Sequence, residues 1–221
     1  MRQGSLTPRE NRQSETMQHV LTNQVSDFKK IYDENIELVS VARSSSERLE
    51  CLADELFKRR ALIELDWRQA VTDKETPLRE LECVMQRTEE VTLLADEIYF
   101  VNEILHEFLH CEEVRVRVAT IHGPMCPKFH TDHVYCRMLV TVTGPSTEWI
   151  ACDDVQQDIL SDPDSDALPI KEGKTFRKLI PGDMSLLKGG NWQSGFRGVV
   201  HRSPHEEGPR LLLTFDPIFV G

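Results

Sequence analysis

A change of hydrophobic period just after Cys111 restricts the fold of this chain more than any other feature. Upstream, apolar residues recur at helical spacing; downstream they alternate. The runs "VRVRVAT" (114–120), "VYCRMLVTV" (134–142), "TEWIAC" (147–152), "FRKLI" (176–180), "MSLLK" (184–188), "GVVHR" (198–202) and "RLLLTFDPIF" (210–219) are separated by Gly, Pro, Asp and Ser turns. Such alternation suits strands with one face buried. This many short strands in about 110 residues predict a closed or sandwiched antiparallel sheet of jelly-roll type. The acidic stretch 153–173 is read as a flexible loop inserted between strands.

The first half reads differently. Residues 1–16 are polar and predicted disordered. Val20, Leu21, Val25, Phe28 and Ile31 suggest a short amphipathic helix beginning at Met17, and "IELVSVA" (36–42) a strand. Ser44 with Glu47 forms a capping-box pattern that opens a helix over about 45–69. Thr76-Pro77 starts a second helix, reaching about Leu109 with a break near Thr88. The expected organisation is therefore α+β: a disordered 1–16, a mainly helical region 17–112 with a short strand, and a jelly-roll metal-binding domain 113–221, with the helices packed on a double-stranded β-helix.

Charge narrows the function classes. The net charge is −11, and residues 1–112 hold 14 Lys+Arg against 23 Asp+Glu. Neither half offers the basic surface that phosphate backbones need, so no nucleic-acid partner is expected. No apolar run approaches spanning length and the N-terminus lacks an apolar leader, so the expectation is a cytoplasmic protein without a membrane partner. Six cysteines without a CxxC pair are then mostly free thiols.

Three readings of the histidines compete. "HEFLH" (106–110) matches the zinc-protease pattern, but His106 and His110 fall away from the apolar stripe of Leu94, Ile98, Val101, Leu105 and Phe108 and point to the polar face. A structural zinc site could use Cys126, His130, His133 and Cys136 of "CPKFHTDHVYC". On an extended segment, however, His130 and His133 diverge, and Cys136 belongs to a core-forming strand. The third reading takes His130 and Asp132 of "HTD". Two positions apart on an extended segment, they leave from one face and supply two-thirds of a 2-His-1-carboxylate triad for Fe(II). His201, in a strand 69 residues beyond Asp132, is the candidate third ligand, and Arg210 follows nine residues later at the start of the last strand. The rigid fork of an arginine suits a bidentate grip on a carboxylate.

The order H-x-D, "TEW", "PGD" with an apolar strand, then H with R nine residues on, resembles the iron(II)- and 2-oxoglutarate-dependent dioxygenases over residues 114–219. "CPKFHTDHVYCRMLVTVTGPSTEWI" and "VVHRSP" resemble more closely an uncharacterised bacterial family of unknown function, some members of which are encoded beside zinc-homeostasis genes. The dioxygenase resemblance implies Fe(II) on His130, Asp132 and His201, and 2-oxoglutarate on Arg210 with Thr214, Thr141 or Tyr135 beside it. It implies a hydroxylase whose substrate the helical half does not reveal. His133, His122 and His205 are candidates to orient the ligands. The alternative is a non-catalytic zinc- or iron-binding protein of metal homeostasis, with the same ligands and a fourth position filled by water or Cys126.

Overall fold

The alternating runs fold as strands in the computed structural model, which describes residues 17–43, 47–123, 126–193, 195–206 and 208–219. Chain order is β1 (Gln18–Thr22), β2 (Ile36–Val41), α1 (Glu47–Lys58), β3 (Glu64–Ala70), α2 (Glu75–Glu82), α3 (Thr88–Leu109), β4 (Glu113–Ile121), β5 (Cys136–Thr143), β6 (Glu148–Ile150), α4 (Gln157–Leu160), β7 (Arg177–Lys178), β8 (Met184–Lys188), β9 (Val200–Arg202) and β10 (Arg210–Ile218). Seven strands form one sheet in the order β1-β2-β8-β5-β10-β4-β3, and three form a second, β7-β6-β9. All pairings are antiparallel except β1 with β2.

Period two decides what each face of the large sheet does. Val114, Val116 and Val118 of β4, Cys136, Met138 and Val140 of β5, and Leu211, Leu213 and Phe215 of β10 are buried in one cluster with α1 and α3, through Leu49, Leu52, Ala53, Leu56, Val91, Leu94, Ile98, Val101 and Leu105. The other face turns Leu38, Leu139, Leu187 and Leu212 toward Trp149, Ala151, Leu179 and Val199 around the small sheet. That face also carries Arg117, Arg137, Thr214 and Arg210, which line a cavity between the sheets. A third cluster pins Phe129 against Ile150, Val155 and Val200. No described helix is long and apolar enough to cross a membrane.

Two expected helices give way to pairing. The stretch from Met17 begins as β1, hydrogen-bonded to β2, and only then turns into a 3-10 helix, Val25–Tyr32. Val25, Phe28 and Ile31 recur every three residues, which suits three residues per turn, and the latter two are buried. The helix expected over 45–69 ends at Lys58, and Arg60 takes a left-handed φ of 50°. Glu64–Ala70 then alternates, burying Trp67 and Gln69, and pairs with β4. Isolated β-branched or aromatic content did not mark this strand; its partner did, through Asp66 facing Arg115 and Arg117. The break expected near Thr88 separates α2 from α3. Asp73 accepts the Glu75 and Thr76 backbone N–H groups at 2.9 and 3.1 Å to start α2. Strands β1–β3 share the ladder of β4, β5, β8 and β10, so the hydrogen-bonded sheet runs across residues 112 and 113. The stretch 153–173 carries α4 and a bridge between Val155 and Ile170 rather than irregular chain alone. The expected disorder of 1–16 and the Ser44 cap lie outside the described residues.

A shift of register between Gln18 and His19 leaves Glu37 as the extra residue of β2, fully buried. Its Oε2 accepts the Cys152 N–H at 3.0 Å, while Oε1 has no partner among the described residues. Burial pushes the carboxyl from the ordinary 4.5 up to about 7. A folded-state value above the unfolded one means that the contribution to stability is complete below about pH 4.5 and lost as pH rises through about 7. Stability of the wild type is therefore expected to fall over this interval by up to about 3 kcal/mol more than that of Glu37→Gln, read as urea midpoints near pH 5 and pH 8. Packing is tested separately: Phe215→Ala should cost about 3–5 kcal/mol, while Leu62→Ala on the surface should stay within about 0.5 kcal/mol.

Candidate active site

His130 and His201 are brought together by backbone pairing. The His130 N–H donates to the His201 carbonyl at 3.0 Å, and the His201 N–H to the His130 carbonyl at 2.9 Å, a bridge that continues the small sheet beyond β9. Phe129, anchored in its cluster, holds the incoming segment, and β9 is held in turn by its register with β6, where Trp149 faces His201. The ring centroids of the two histidines lie 4.8 Å apart.

Each ring is oriented by its own backbone. His130 Nδ1 is 3.0 Å from the Lys128 carbonyl and His201 Nδ1 is 2.9 Å from the Val199 carbonyl. A carbonyl can only accept, so each Nδ1 carries the proton and each Nε2 is left to face the cavity with its lone pair. Asp132 stands between them: its Oδ2 is 3.1 Å from His201 Nε2 and its Oδ1 is 3.9 Å from His130 Nε2. One donor atom from each of the three residues falls within 4.8 Å of the others. Three lone-pair donors this close repel unless a cation joins them, and two imidazoles with one carboxylate match the facial triad of non-haem Fe(II).

Electrostatics keep the donors in their metal-binding forms. Burial opposes ionisation of Asp132, but the guanidinium of Arg137 on its Oδ2, joined by the charge of either imidazole whenever that ring takes a second proton, outweighs it and holds the carboxyl well below the usual range. Burial lowers the basicity of His130, favouring neutral imidazole. Arg137 links Asp132 to the sheet: its Nη1 donates to Asp132 Oδ2, while Nε and Nη2 donate to Asp216 at 2.6 and 2.9 Å. Asp216 also accepts from Arg117 Nη2 at 2.8 Å. The Asp132 carboxylate is thereby braced from β5, β10 and β4.

Arg210 is the exception in this charged face. It is 3% exposed, and among the described residues its side chain makes one hydrogen bond, Nη2 to Ser203 Oγ at 2.9 Å, while Nη1 is buried with no partner. No carboxylate among the described residues pairs with it, and burial pulls its pKa down. Gly144, with φ of +95°, allows the chain to pass close beside it: a Cβ there would lie 2.2 Å from the Pro209 carbonyl and 2.8 Å from Arg210 Cα. A fixed, buried guanidinium with an unused donor calls for an anion from outside the chain.

The triad, Arg210, Ser203 and Thr214 share a cavity of about 380 Å³. Other expected contributors lie elsewhere. Tyr135 packs on Trp192 and Phe219, with centroids 4.4 and 4.5 Å away, on the helix side of the sheet. Thr141 is buried outside the cavity lining. His122 meets the edge of Phe57, His133 offers only its carbonyl to Asn191, and His205 borders a neighbouring cavity. Among the described residues none of the three imidazoles is hydrogen-bonded to the triad. His106 turns its Nδ1 to the Cys111 carbonyl and His110 is the left-handed residue that ends α3; no other metal-binding group than the triad occurs among the described residues. Cys136 is buried in the helix-side core, so the four-ligand zinc arrangement does not form, although Cys126 does line the triad's cavity. Sequence reading missed Arg137, Asp216 and Ser203. The signal for the first two was present: each is a charge interrupting an apolar strand, at the parity of the other cavity-facing residues.

The family model described as "Protein of unknown function (DUF1826)" matches residues 22–216. No curated protein matches the chain. Among solved structures, the dioxygenase for auxin oxidation 1 from Arabidopsis thaliana, in binary complex with 2-oxoglutarate, is similar with a TM-score of 0.61 at 10% identity over 93% of each chain. The dioxygenase for auxin oxidation of rice is similar at 0.54 and 11% identity, over 91% of this chain and 83% of that one. At these identities the likeness is one of fold, shared with these two dioxygenases.

Replacing His130, Asp132 or His201 by Ala should weaken Fe(II) binding by more than about a hundredfold, whereas His106→Ala and His110→Ala should leave it unchanged. Anaerobic equilibrium dialysis with metal analysis reads both sets.

Proposed function

The chain belongs to the DUF1826 family, and we propose that it is an Fe(II)- and 2-oxoglutarate-dependent oxygenase, a hydroxylase of the double-stranded β-helix type. The observation that carries this reading is the unpartnered Nη1 of Arg210 in the cavity that the triad also lines. A metal-storage or sensing site has no use for a buried, unpaired guanidinium; a site that must receive a dicarboxylate does. The non-catalytic zinc- or iron-binding alternative leaves that group without a role.

In this reading His130, Asp132 and His201 hold Fe(II), and Arg210 takes the far carboxylate of 2-oxoglutarate, with Ser203 fixing the guanidinium and Thr214 beside it. When bound, Fe(II) with 2-oxoglutarate and O₂ supplies the oxidising power that turns a substrate C–H into C–OH as the co-substrate leaves as succinate and CO₂. The chain's own residues supply positions. The Lys128 and Val199 carbonyls fix both imidazole tautomers, so each Nε2 arrives with a lone pair and no proton needs to be removed. Arg137 occupies Oδ2 of Asp132, so Oδ1 is the oxygen that would be offered to Fe(II). Leu139, Leu212, Ala119 and Ile121 line the cavity with apolar surface that limits water around the reacting groups.

Calorimetry of 2-oxoglutarate into the anaerobic Fe(II) protein should show one-to-one binding, and succinate should form slowly once O₂ is admitted. Arg210→Lys should weaken that binding by about tenfold or more while metal affinity stays, because lysine keeps the charge and loses the fork. Metal uptake with neither binding nor succinate would overturn the reading.

A further inference from the structure

Cys126 is the only thiol among the described residues that line the triad's cavity, and it is exposed. Its main chain is tied to the co-substrate end of the site. The Cys126 N–H donates to Ser203 Oγ at 3.2 Å, the Ser203 N–H donates to the Cys126 carbonyl at 3.0 Å, and the same Ser203 Oγ accepts from Arg210 Nη2. One hydroxyl therefore separates this cysteine's backbone from the guanidinium whose Nη1 is buried and unpartnered among the described residues. An anion at Cys126 would stabilise the Arg210 charge.

We propose that Cys126 is an oxidation site that closes the Arg210 pocket: hydrogen peroxide converts its thiol to a sulfinate, which takes the free Nη1 of Arg210 in place of the co-substrate's carboxylate. The inference rests on the oxygenase reading for the identity of the displaced ligand only. The chemistry uses two equivalents of peroxide. In the first, sulfur attacks one peroxide oxygen, the O–O bond breaks, an S–O bond forms and the other oxygen leaves as water, giving the sulfenic acid. The second repeats this on the sulfenic sulfur, and the resulting sulfinic acid gives its proton to solvent. Sulfur is oxidised in each step and peroxide reduced to water. A sulfenic acid beside a second thiol would be diverted to a disulfide; no other cysteine lines this cavity, so oxidation continues up the ladder. A sulfinate carries two oxygens on one atom, the pattern that an arginine fork grips in a carboxylate.

The test treats the metal-free, full-length protein with hydrogen peroxide, removes the oxidant, and follows three readouts. Peptide mass should show two added oxygens on Cys126. After anaerobic Fe(II) loading, 2-oxoglutarate affinity should be about tenfold or more below that of untreated protein with metal affinity unchanged, and treated Cys126→Ser should match its own untreated form. The thermal midpoint should rise on treatment in wild type and not in Cys126→Ser or Arg210→Lys, because the new anion fills a buried donor. Cys126→Asp, which places a carboxylate there without oxidant, should lose 2-oxoglutarate binding and keep metal. If untreated protein binds no 2-oxoglutarate yet the Arg210-dependent rise persists, the co-substrate reading fails and the oxidation gate stands. A Cys126 sulfinate that changes neither the midpoint nor 2-oxoglutarate affinity overturns the gate, as does a Cys126 left unmodified while exposed Cys51 and Cys83 oxidise.

Discussion

Two reciprocal backbone hydrogen bonds between His130 and His201 hold the site together. They join residues 71 positions apart in the chain, and both imidazoles leave from that one bridge. Everything else at the site is arranged around it. Asp132 reaches the pair because it lies two residues from His130, and the rings keep their free Nε2 atoms because the Lys128 and Val199 carbonyls, each two residues before its histidine, take the other nitrogen. The same i−2 contact on both sides of a bridge turns a local chain conformation into a metal-ready pair without help from a distant side chain.

The second dependence is on strand parity. The large sheet separates a helix-packed apolar face from a charged face, and the split is made strand by strand in β4, β5 and β10. On the charged face almost every guanidinium is answered: Arg115 by Asp66, Arg117 and Arg137 by Asp216, Arg202 by Glu148. Buried charges are tolerated when paired and costly when not, so an unanswered arginine at 3% exposure carries a meaning that a surface arginine would not. The unpaired Arg210 and the three convergent lone pairs are complementary deficits, one of an anion and one of a cation, within a single cavity. In the proposed reading, iron with 2-oxoglutarate would supply both.

The sequence made the candidate site legible because its signals are local. Period-two runs located β4 to β10, and the spacings H-x-D and H-to-R selected His130, Asp132, His201 and Arg210 once a shared cavity was assumed. What escaped depended on partners. β1 reads as the start of a helix until β2 offers it an edge, and β3 reads as the tail of α1 because Ile63 fits the helical stripe; only its ladder with β4 reveals the alternation. Tyr135 shows the opposite error. It lies within reach of the ligand segment along the chain, yet it precedes the first residue of β5, where strand alternation does not yet hold, and its ring packs on Trp192 on the helix side. Arg137, two residues further and inside β5, does follow the alternation, faces the cavity and braces Asp132.

In the proposed reading, a cation joins His130, Asp132 and His201 while a carboxylate answers Arg210 in the same cavity. Crystals grown anaerobically with Fe(II) and 2-oxoglutarate, measured with anomalous diffraction at the iron edge, test it most directly. The expected result is a single strong anomalous peak bonded to Nε2 of both histidines and one oxygen of Asp132, with 2-oxoglutarate chelating it and its far carboxylate on Arg210 Nη1. Iron at any other residues, or a co-substrate bound without reaching Arg210, would contradict the account.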